Sequence, residues 1–236
     1  GYDSAGIAIV YHSGQLQFRK TVGKVNGLTS SGQEDVPQGW LGLGHTRWAT
    51  HGRPTYSNAH PHTDCHQRIA VVHNGIVENF LSLKQGLLAD GHEFASETDT
   101  EVITHLIEEG MDRGNSFEDA FLRMGRMVEG SQTITATFLG EAGKICALRL
   151  GHAGGIVVAH RDGQGIIGSD LPAMLPLLRQ GPQAGQVGFL YSGEMASVTT
   201  EGVVYRDIDG KGIDKQLRSV SPVDVQIDKG GYRHFM

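Results

Sequence analysis

The order of the secondary-structure elements constrains this chain most, because amphipathic helices separate an early group of strands from a late one. Apolar residues recur at helical spacing across residues 80–127, whereas β-branched runs bounded by glycine turns occupy both flanks. Strands, then helices, then strands are typical of an α+β domain with antiparallel sheets rather than of a repeated β-α-β unit. The predicted helices begin near residues 80, 98 and 116, and a fourth short helix covers about 171–178.

Composition excludes several classes of function. The 236 residues carry a net charge of −6, so we expect no basic surface for nucleic acid and no polybasic cluster for a membrane. No apolar run reaches the roughly 18–20 residues that span a bilayer. Two cysteines are too few for a disulfide scaffold and favour a reducing compartment. The sequence therefore predicts a cytoplasmic protein with no nucleic-acid or membrane partner.

The segment 45–52 (His-Thr-Arg-Trp-Ala-Thr-His-Gly) directly follows a predicted buried strand, where loops commonly carry binding residues. Arg47 can bind a carboxylate through two parallel hydrogen bonds, which suits a small anionic ligand. A structural ion pair explains Arg47 by itself equally well. Thr50 and His51 add hydrogen-bonding groups close to it.

Two further motifs bear on the same site. Asn74-Gly75 ends another predicted strand, and a side-chain amide beside a glycine N–H supplies the donors of an oxyanion hole, although Asn-Gly is also a common turn. Asp99 lies in the capping-box pattern Thr98–Glu101, where a helix dipole favours an acid in any case. If Asp99 instead holds an ammonium group, Arg47 and Asp99 form a clamp for a zwitterionic α-amino acid.

The histidines and cysteines raise the alternatives of a metal site and a thiol nucleophile. The run that contains His60, His62, Cys65 and His66 offers zinc ligands, but its spacing matches no common zinc pattern. Cys65 is expected to be exposed and Cys146 to be buried, neither beside an acid–base partner that would activate it. The sequence therefore favours no metal and no cofactor.

Taken together, the motifs resemble the glutaminase domain of the glutamine–fructose-6-phosphate aminotransferases, which are class II glutamine amidotransferases. Purine-pathway amidotransferases of the same class share the Asn-Gly and an arginine, but not the Arg-Trp-Ala-Thr-His run. The motifs are HTRWATHG at 45–52, NAHPH at 58–62, VHNGIVEN at 72–79 and SETDTE at 96–101, with similar segments at 1–6 and 228–236.

This resemblance implies an N-terminal-nucleophile hydrolase fold, a four-layer αββα sandwich of two stacked antiparallel sheets. It implies hydrolysis of L-glutamine to glutamate and ammonia, which would convert fructose 6-phosphate to glucosamine 6-phosphate in a homo-oligomeric full-length protein. The implied site residues are Arg47 for the α-carboxylate, Asp99 for the α-amino group, Thr50 and His51 for the pocket lining, Asn74 and Gly75 for the oxyanion hole, and Trp48 for gating ammonia.

The resemblance also implies a nucleophilic N-terminal cysteine upstream of the segment that Gly1 begins. We therefore expect that residues 1–236 lack this nucleophile and show no glutaminase turnover. The predicted division is a glutaminase domain at 1–218 and a linker at 219–236 toward an absent sugar-isomerase region. Two alternatives stay open: the glutaminase domain of a purine-type amidotransferase, and a non-catalytic module that binds an amino acid. Residues 151–155 depart from the Gly-Ser-Pro-Leu that is usual in the family.

Overall fold

The structure is a computed structural model that describes residues 3–11, 13–28, 39–48, 52–141, 143–178 and 186–220. Its strands form three antiparallel sheets, with the orders β2-β1-β3, β12-β11-β7-β6-β5-β4 and β13-β10-β8-β9. The strands are β1 (Ser4–Val10), β2 (Leu16–Val22), β3 (Leu41–Arg47), β4 (His62–Thr63), β5 (Ile69–Gly75), β6 (Gln132–Phe138), β7 (Ile145–Leu150), β8 (Val157–Arg161), β9 (Gln164–Gly168), β10 (Gln186–Phe189), β11 (Glu194–Val198), β12 (Val203–Asp207) and β13 (Arg218–Ser219).

The helices follow the predicted order. The third helix begins near residue 116 as predicted, and Ser116 caps it, because its hydroxyl accepts the backbone N–H of Asp119 at 3.1 Å. The glycine-rich segment after β7 and Gly163 between β8 and β9 are strand-end turns. The helices are α1 (Phe80–Ala89), α2 (Glu101–Asp112), α3 (Phe117–Met127) and α4 (Leu171–Leu178), with a short 3-10 helix at Val25–Leu28.

Side-chain alternation along the six-stranded sheet explains the layers. Ile69, Val71 and Ile134 point to one face, where they pack with the buried residues of α1, α2 and α3. Ala70 lies on the opposite face and packs with residues of the three-stranded sheet. The four-stranded sheet packs on that same face, and α4 covers its outer side. These are four layers in the order αββα, so the predicted α+β fold class is confirmed.

Helix α2 is the most deeply placed helix, with every residue of 101–108 buried. The predicted capping box at its start is wrong. The N-cap is Thr100, which makes no side-chain cap bond, and Asp99 precedes it instead of occupying the first helical turn. The Glu101 carboxylate accepts the backbone N–H groups of Ala95 at 2.8 Å and Ser96 at 2.7 Å. The helix start is thereby fixed to the preceding loop, and this holds Asp99 in place.

The C-terminal part that the structure describes packs on the domain. Ser219 belongs to the edge strand β13, and Val220 is buried in the same cluster as residues of α4. The packed region thus extends two residues past the predicted boundary at 218/219, while residues 221–236 lie outside the described ranges. Among the described helices, none has the length and apolar character needed to cross a membrane.

Candidate active site

Arg47 is the last residue of β3 and is held deep in the domain. Its backbone pairs with Ser4 of β1, and only 4% of its surface is exposed. Its Nη2 donates to the carbonyl oxygen of Gly52 at 3.3 Å. Burial lowers the pKa of the guanidinium, and the negative charges of Asp99 and Asp3 oppose that shift. The structure therefore places a buried cation within electrostatic reach of Asp99.

Asp99 is 4% exposed and lies immediately before α2. Its Oδ2 accepts the backbone N–H of Val77 at 2.8 Å. Val77 comes two residues after the end of β5, so this bond joins the helix start to the strand that carries Asn74. One carboxylate from the helix layer and one guanidinium from the three-stranded sheet are thus brought together, although 52 positions separate them in the sequence.

Asn74 and Gly75 end β5, two residues before Val77, whose N–H bonds to Asp99. The side chain of Asn74 is exposed, and its Oδ1 lies 2.9 Å from Nε2 of His45, which leaves the amide NH₂ as its available donor. Gly75 has φ of +132°, and a Cβ there would lie 2.2 Å from the carbonyl oxygen of Ser131. Only glycine can adopt this conformation so close to the Ser131 carbonyl oxygen. The position of the Gly75 N–H beside Asn74 therefore depends on having glycine here.

A layer of buried histidines supports the end of β5. Nε2 of His73 lies 2.5 Å from Oε1 of Gln132, whose amide nitrogen donates to two backbone carbonyls. Oε1 is therefore an acceptor, and Nε2 of His73 carries the proton. Neutral His73 then accepts at Nδ1 from the Thr100 hydroxyl at 2.9 Å, and the Thr100 oxygen accepts Nε2–H of His60 at 3.1 Å. In this series of hydrogen bonds, His60 donates to Thr100, Thr100 donates to His73, and His73 donates to Gln132.

Burial keeps these imidazoles neutral. It lowers the pKa of His45 and His73, holds that of His60 well below its ordinary value, and lowers that of His62 to about 3. The neighbouring Arg47 charge acts in the same direction on His60 and His62. The layer behind the candidate site is therefore polar but uncharged at neutral pH.

We expect acid to destabilise the fold before carboxylates titrate. Below pH 6.5 the unfolded chain protonates these histidines while the folded chain does not, so the unfolded state binds more protons. Stability present above pH 6.5 is then lost as pH falls, by up to about 1.4 kcal/mol per pH unit for each histidine. Denaturant unfolding at pH 7.5 and 5.5 measures this.

A matched pair of variants isolates the buried layer. The variant His62→Gln should show a smaller loss of stability between these pH values, because it removes one buried imidazole. The variant His152→Gln, at an exposed position, should behave as the unmodified chain. Equal stability of the unmodified chain at pH 7.5 and 5.5 would contradict the assignment of neutral buried histidines.

The other predicted site residues have different outcomes. Trp48 is 69% exposed next to Arg47, and its role in gating stays a prediction. Thr50 and His51 lie outside the described residues. Sequence reasoning missed the supporting roles of His45 and Gln132. For His73 a signal was available, because it is in phase with Ile69 and Val71 along β5 and must share their buried face.

Neither cysteine lies at this site. Cys146 is buried on the helix-facing side of the six-stranded sheet, and burial raises the pKa of its thiol. Cys65 is exposed as expected, but its predicted lack of an acid–base partner is wrong, since Sγ lies 3.6 Å from Nδ1 of His105. The Cys65 N–H also bonds to Glu108, which is about 12 Å along α2 from Thr100 by helical rise.

A cavity of about 660 Å³ lies between the three sheets and is lined in part by Asn74. Its lining combines Asn74 and His45 with apolar groups such as Leu43 and Ile156, and its volume is in the range of small-molecule sites. Arg47 and Asp99 are not among its lining residues. The cavity lies on the Asn74 side of the six-stranded sheet.

The sequence relationships agree with this geometry. Residues 9–121 match the family described as the glutamine amidotransferase domain. The glutamine–fructose-6-phosphate aminotransferase (isomerizing) of Aeropyrum pernix is 40% identical over 245 residues, which cover 100% of this chain and 38% of the relative. Residues 9–121 thus carry a glutamine amidotransferase domain. The corresponding protein of Thermus thermophilus is 42% identical over 236 residues, covering 100% of this chain and 37% of the relative.

Solved structures show the same fold at lower identity. The glutamine phosphoribosylpyrophosphate amidotransferase of B. subtilis, complexed with ADP and GMP, superposes with a TM-score of 0.73 at 21% identity, covering 88% of this chain and 43% of that one. A glutamine aminotransferase class-II domain protein from Silicibacter pomeroyi gives 0.59 at 18% identity, covering 87% and 91%. The amidotransferase domain thus has the predicted fold, and it spans less than two fifths of the length of the aminotransferases above.

Proposed function

We propose that this amidotransferase domain binds L-glutamine and hydrolyses its side-chain amide to glutamate and ammonia. The observation that carries the proposal is the approach of buried Arg47 and buried Asp99 from separate elements. A guanidinium suits an α-carboxylate, and a carboxylate suits an α-ammonium group. The two charges fit a free amino acid better than a peptide or a sugar.

The Asn74–Gly75 pair would bind the amide end of the same substrate. Attack on a carboxamide produces a tetrahedral oxyanion, which two adjacent N–H donors stabilise. His45 orients Asn74 so that its NH₂ is the available donor. The proposed attack requires a nucleophile other than Cys65 or Cys146, because neither lies at the site. The N-terminal cysteine that the family resemblance implies fits this requirement.

The wider assignment rests on the relatives. Relatives that are 38–42% identical along the whole chain bear the name glutamine–fructose-6-phosphate aminotransferase (isomerizing). We propose the same acceptor sugar, with a cytoplasmic and homo-oligomeric full-length protein, and Trp48, Thr50 and His51 as further substrate-site residues. The phosphoribosylpyrophosphate amidotransferase is only 21% identical, which makes a purine-type acceptor the weaker alternative.

We expect Asp99→Asn to weaken glutamine binding by about 10- to 150-fold, because it removes a hydrogen-bonded charge worth about 1.5–3 kcal/mol. Glutaramate, which is glutamine without its α-amino group, should bind the variant and the unmodified chain alike. Asp90→Asn, at the exposed end of α1, is the matched control and should change neither affinity. Calorimetry on residues 1–236 measures all of these, independently of turnover.

The same titrations separate the proposal from a regulatory module. An amidotransferase site should prefer glutamine over glutamate and alanine, since the N–H donors of Asn74 and Gly75 would bind the side-chain amide oxygen of glutamine. Equal affinity for several amino acids would favour a general amino-acid sensor. Unchanged glutamine binding in Asp99→Asn would remove Asp99 from the clamp.

A further inference from the structure

A second polar cluster lies away from the candidate active site. It consists of Cys65, His92, His105 and Glu108, and one potential ligand atom from each lies within 4.8 Å of all the others. We call it the Cys-His-His-Glu cluster. Three separate segments supply it: the loop after β4, the loop between α1 and α2, and α2 itself. Such convergence of a thiol, two imidazoles and a carboxylate is the donor set of zinc sites.

Four of the six separations between the ligand atoms are close to those of a tetrahedron around an ion. Sγ of Cys65 lies 3.8 Å from Nδ1 of His92 and 3.6 Å from Nδ1 of His105. Oε2 of Glu108 lies 3.0 Å from each of these nitrogens. In a tetrahedral site with ordinary zinc bonds, neighbouring ligand atoms are about 3.3–3.6 Å apart. These four separations need shifts of only a few tenths of an ångström to match a coordination shell, and all four ligand atoms already lie within 4.8 Å of one another.

The surroundings hold the ligands in position. His105 and Glu108 are fully buried one turn apart on α2, so their geometry is set by the helix. Oε1 of Glu101 lies 3.8 Å from Nε2 of His105, which is beyond hydrogen-bond distance, and a small approach would let it orient the ring as carboxylates do behind metal-bound histidines. Arg68 and His66 each lie 3.9 Å from the other Glu108 oxygen. Cys65 is exposed, which gives an ion access from solvent.

We propose that Cys65, His92, His105 and Glu108 bind a zinc ion. Four protein ligands close the coordination shell, which is typical of structural rather than catalytic zinc. The ion would tie the two loops to α2, the helix whose start holds Asp99. The metal-free alternative is a hydrogen-bonded cluster in which Glu108 accepts from both imidazoles and from the Cys65 N–H.

Zinc binding to untagged, reduced residues 1–236 tests the proposal. After removal of metal and addition of zinc, we expect one tightly bound ion per chain by elemental analysis. Cobalt(II) in its place should show thiolate-to-metal charge-transfer absorption. Zinc at about 100 times its Kd should raise the Tm by roughly 5–10 °C.

Variants assign the site. Cys65→Ser and His92→Gln should each weaken zinc binding by at least about 100-fold, beyond the loss typical of outer-shell partners, and Cys65→Ser should abolish the charge-transfer band. His152→Gln removes an exposed histidine outside the cluster and should leave zinc affinity unchanged. Melting of the metal-free variants shows whether each still folds. Failure of the unmodified chain to retain zinc, or a charge-transfer band that survives in Cys65→Ser, would overturn the proposal.

Discussion

Replacing Arg47 by alanine is expected to weaken glutamine binding by about 30- to 5000-fold. Removing one member of a buried, hydrogen-bonded charge pair costs about 2–5 kcal/mol, much of it from the partner charge left unpaired. Here the partner charges are the α-carboxylate of glutamine and Asp99, which is itself only 4% exposed. The loss of glutamine affinity in Arg47→Ala should therefore be larger than the loss in Asp99→Asn.

Two further variants show whether the loss comes from recognition. Arg47→Lys keeps the charge but removes the planar pair of donors, so its affinity should lie between those of the unmodified chain and Arg47→Ala. Arg53→Ala removes an exposed arginine six residues away and should bind glutamine normally. Calorimetry gives the affinities, and thermal melting shows that each variant is folded. Normal glutamine binding by folded Arg47→Ala would sink the proposed clamp.

Gly75→Ala should be the most damaging small substitution at the site. The new Cβ would lie 2.2 Å from the Ser131 carbonyl oxygen and 2.7 Å from Oε1 of Gln132, at a φ of +132° that other residues rarely adopt. Backbone strain and overpacking each cost about 1–3 kcal/mol, so we expect a loss of roughly 2–6 kcal/mol in the free energy of unfolding. Glutamine binding should fall with it.

Gly86→Ala is a control that we expect to raise the free energy of unfolding instead of lowering it. Gly86 lies within α1, and a Cβ there meets nothing within 4 Å. Alanine should stabilise that helix by about 0.5–1 kcal/mol relative to glycine. Denaturant unfolding of the two variants separates strain at Gly75 from any general effect of replacing glycine by alanine. Equal stability of both variants would contradict the close approach described for β5.

Local pattern predicted the elements of this fold well, because its strands and helices have clear apolar periodicity. The start of the third helix near residue 116 was predicted correctly, since the cap bond from Asp119 to Ser116 spans only three residues. The capping box at Thr98–Glu101 failed for the converse reason. The backbone N–H groups of Ala95 and Ser96 capture Glu101, and no helical spacing reveals that competition. The layer order followed from the family resemblance rather than from periodicity.

Side-chain clusters were harder to foresee, because tertiary folding assembles them. The sequence drew attention to His60, His62, Cys65 and His66, which are neighbours in the chain. In the structure His60 and His62 instead face Thr100 and Thr98, while Cys65 meets residues 27 to 43 positions away. The sequence predicts that Arg47 and Asp99 lie together only because an α-amino acid carries one charge that suits each of them.

The Thr100 hydroxyl has one proton, and in the neutral layer it donates that proton to Nδ1 of His73. If His73 took up a second proton, its Nδ1 would become a donor. The Thr100 oxygen could then accept from both His73 and His60, because a hydroxyl oxygen has two lone pairs, but its own proton would have to leave His73. Each charged ring also lowers the pKa of the histidines beside it, so the rings should protonate one after another and the acid transition should be broader than that of independent histidines.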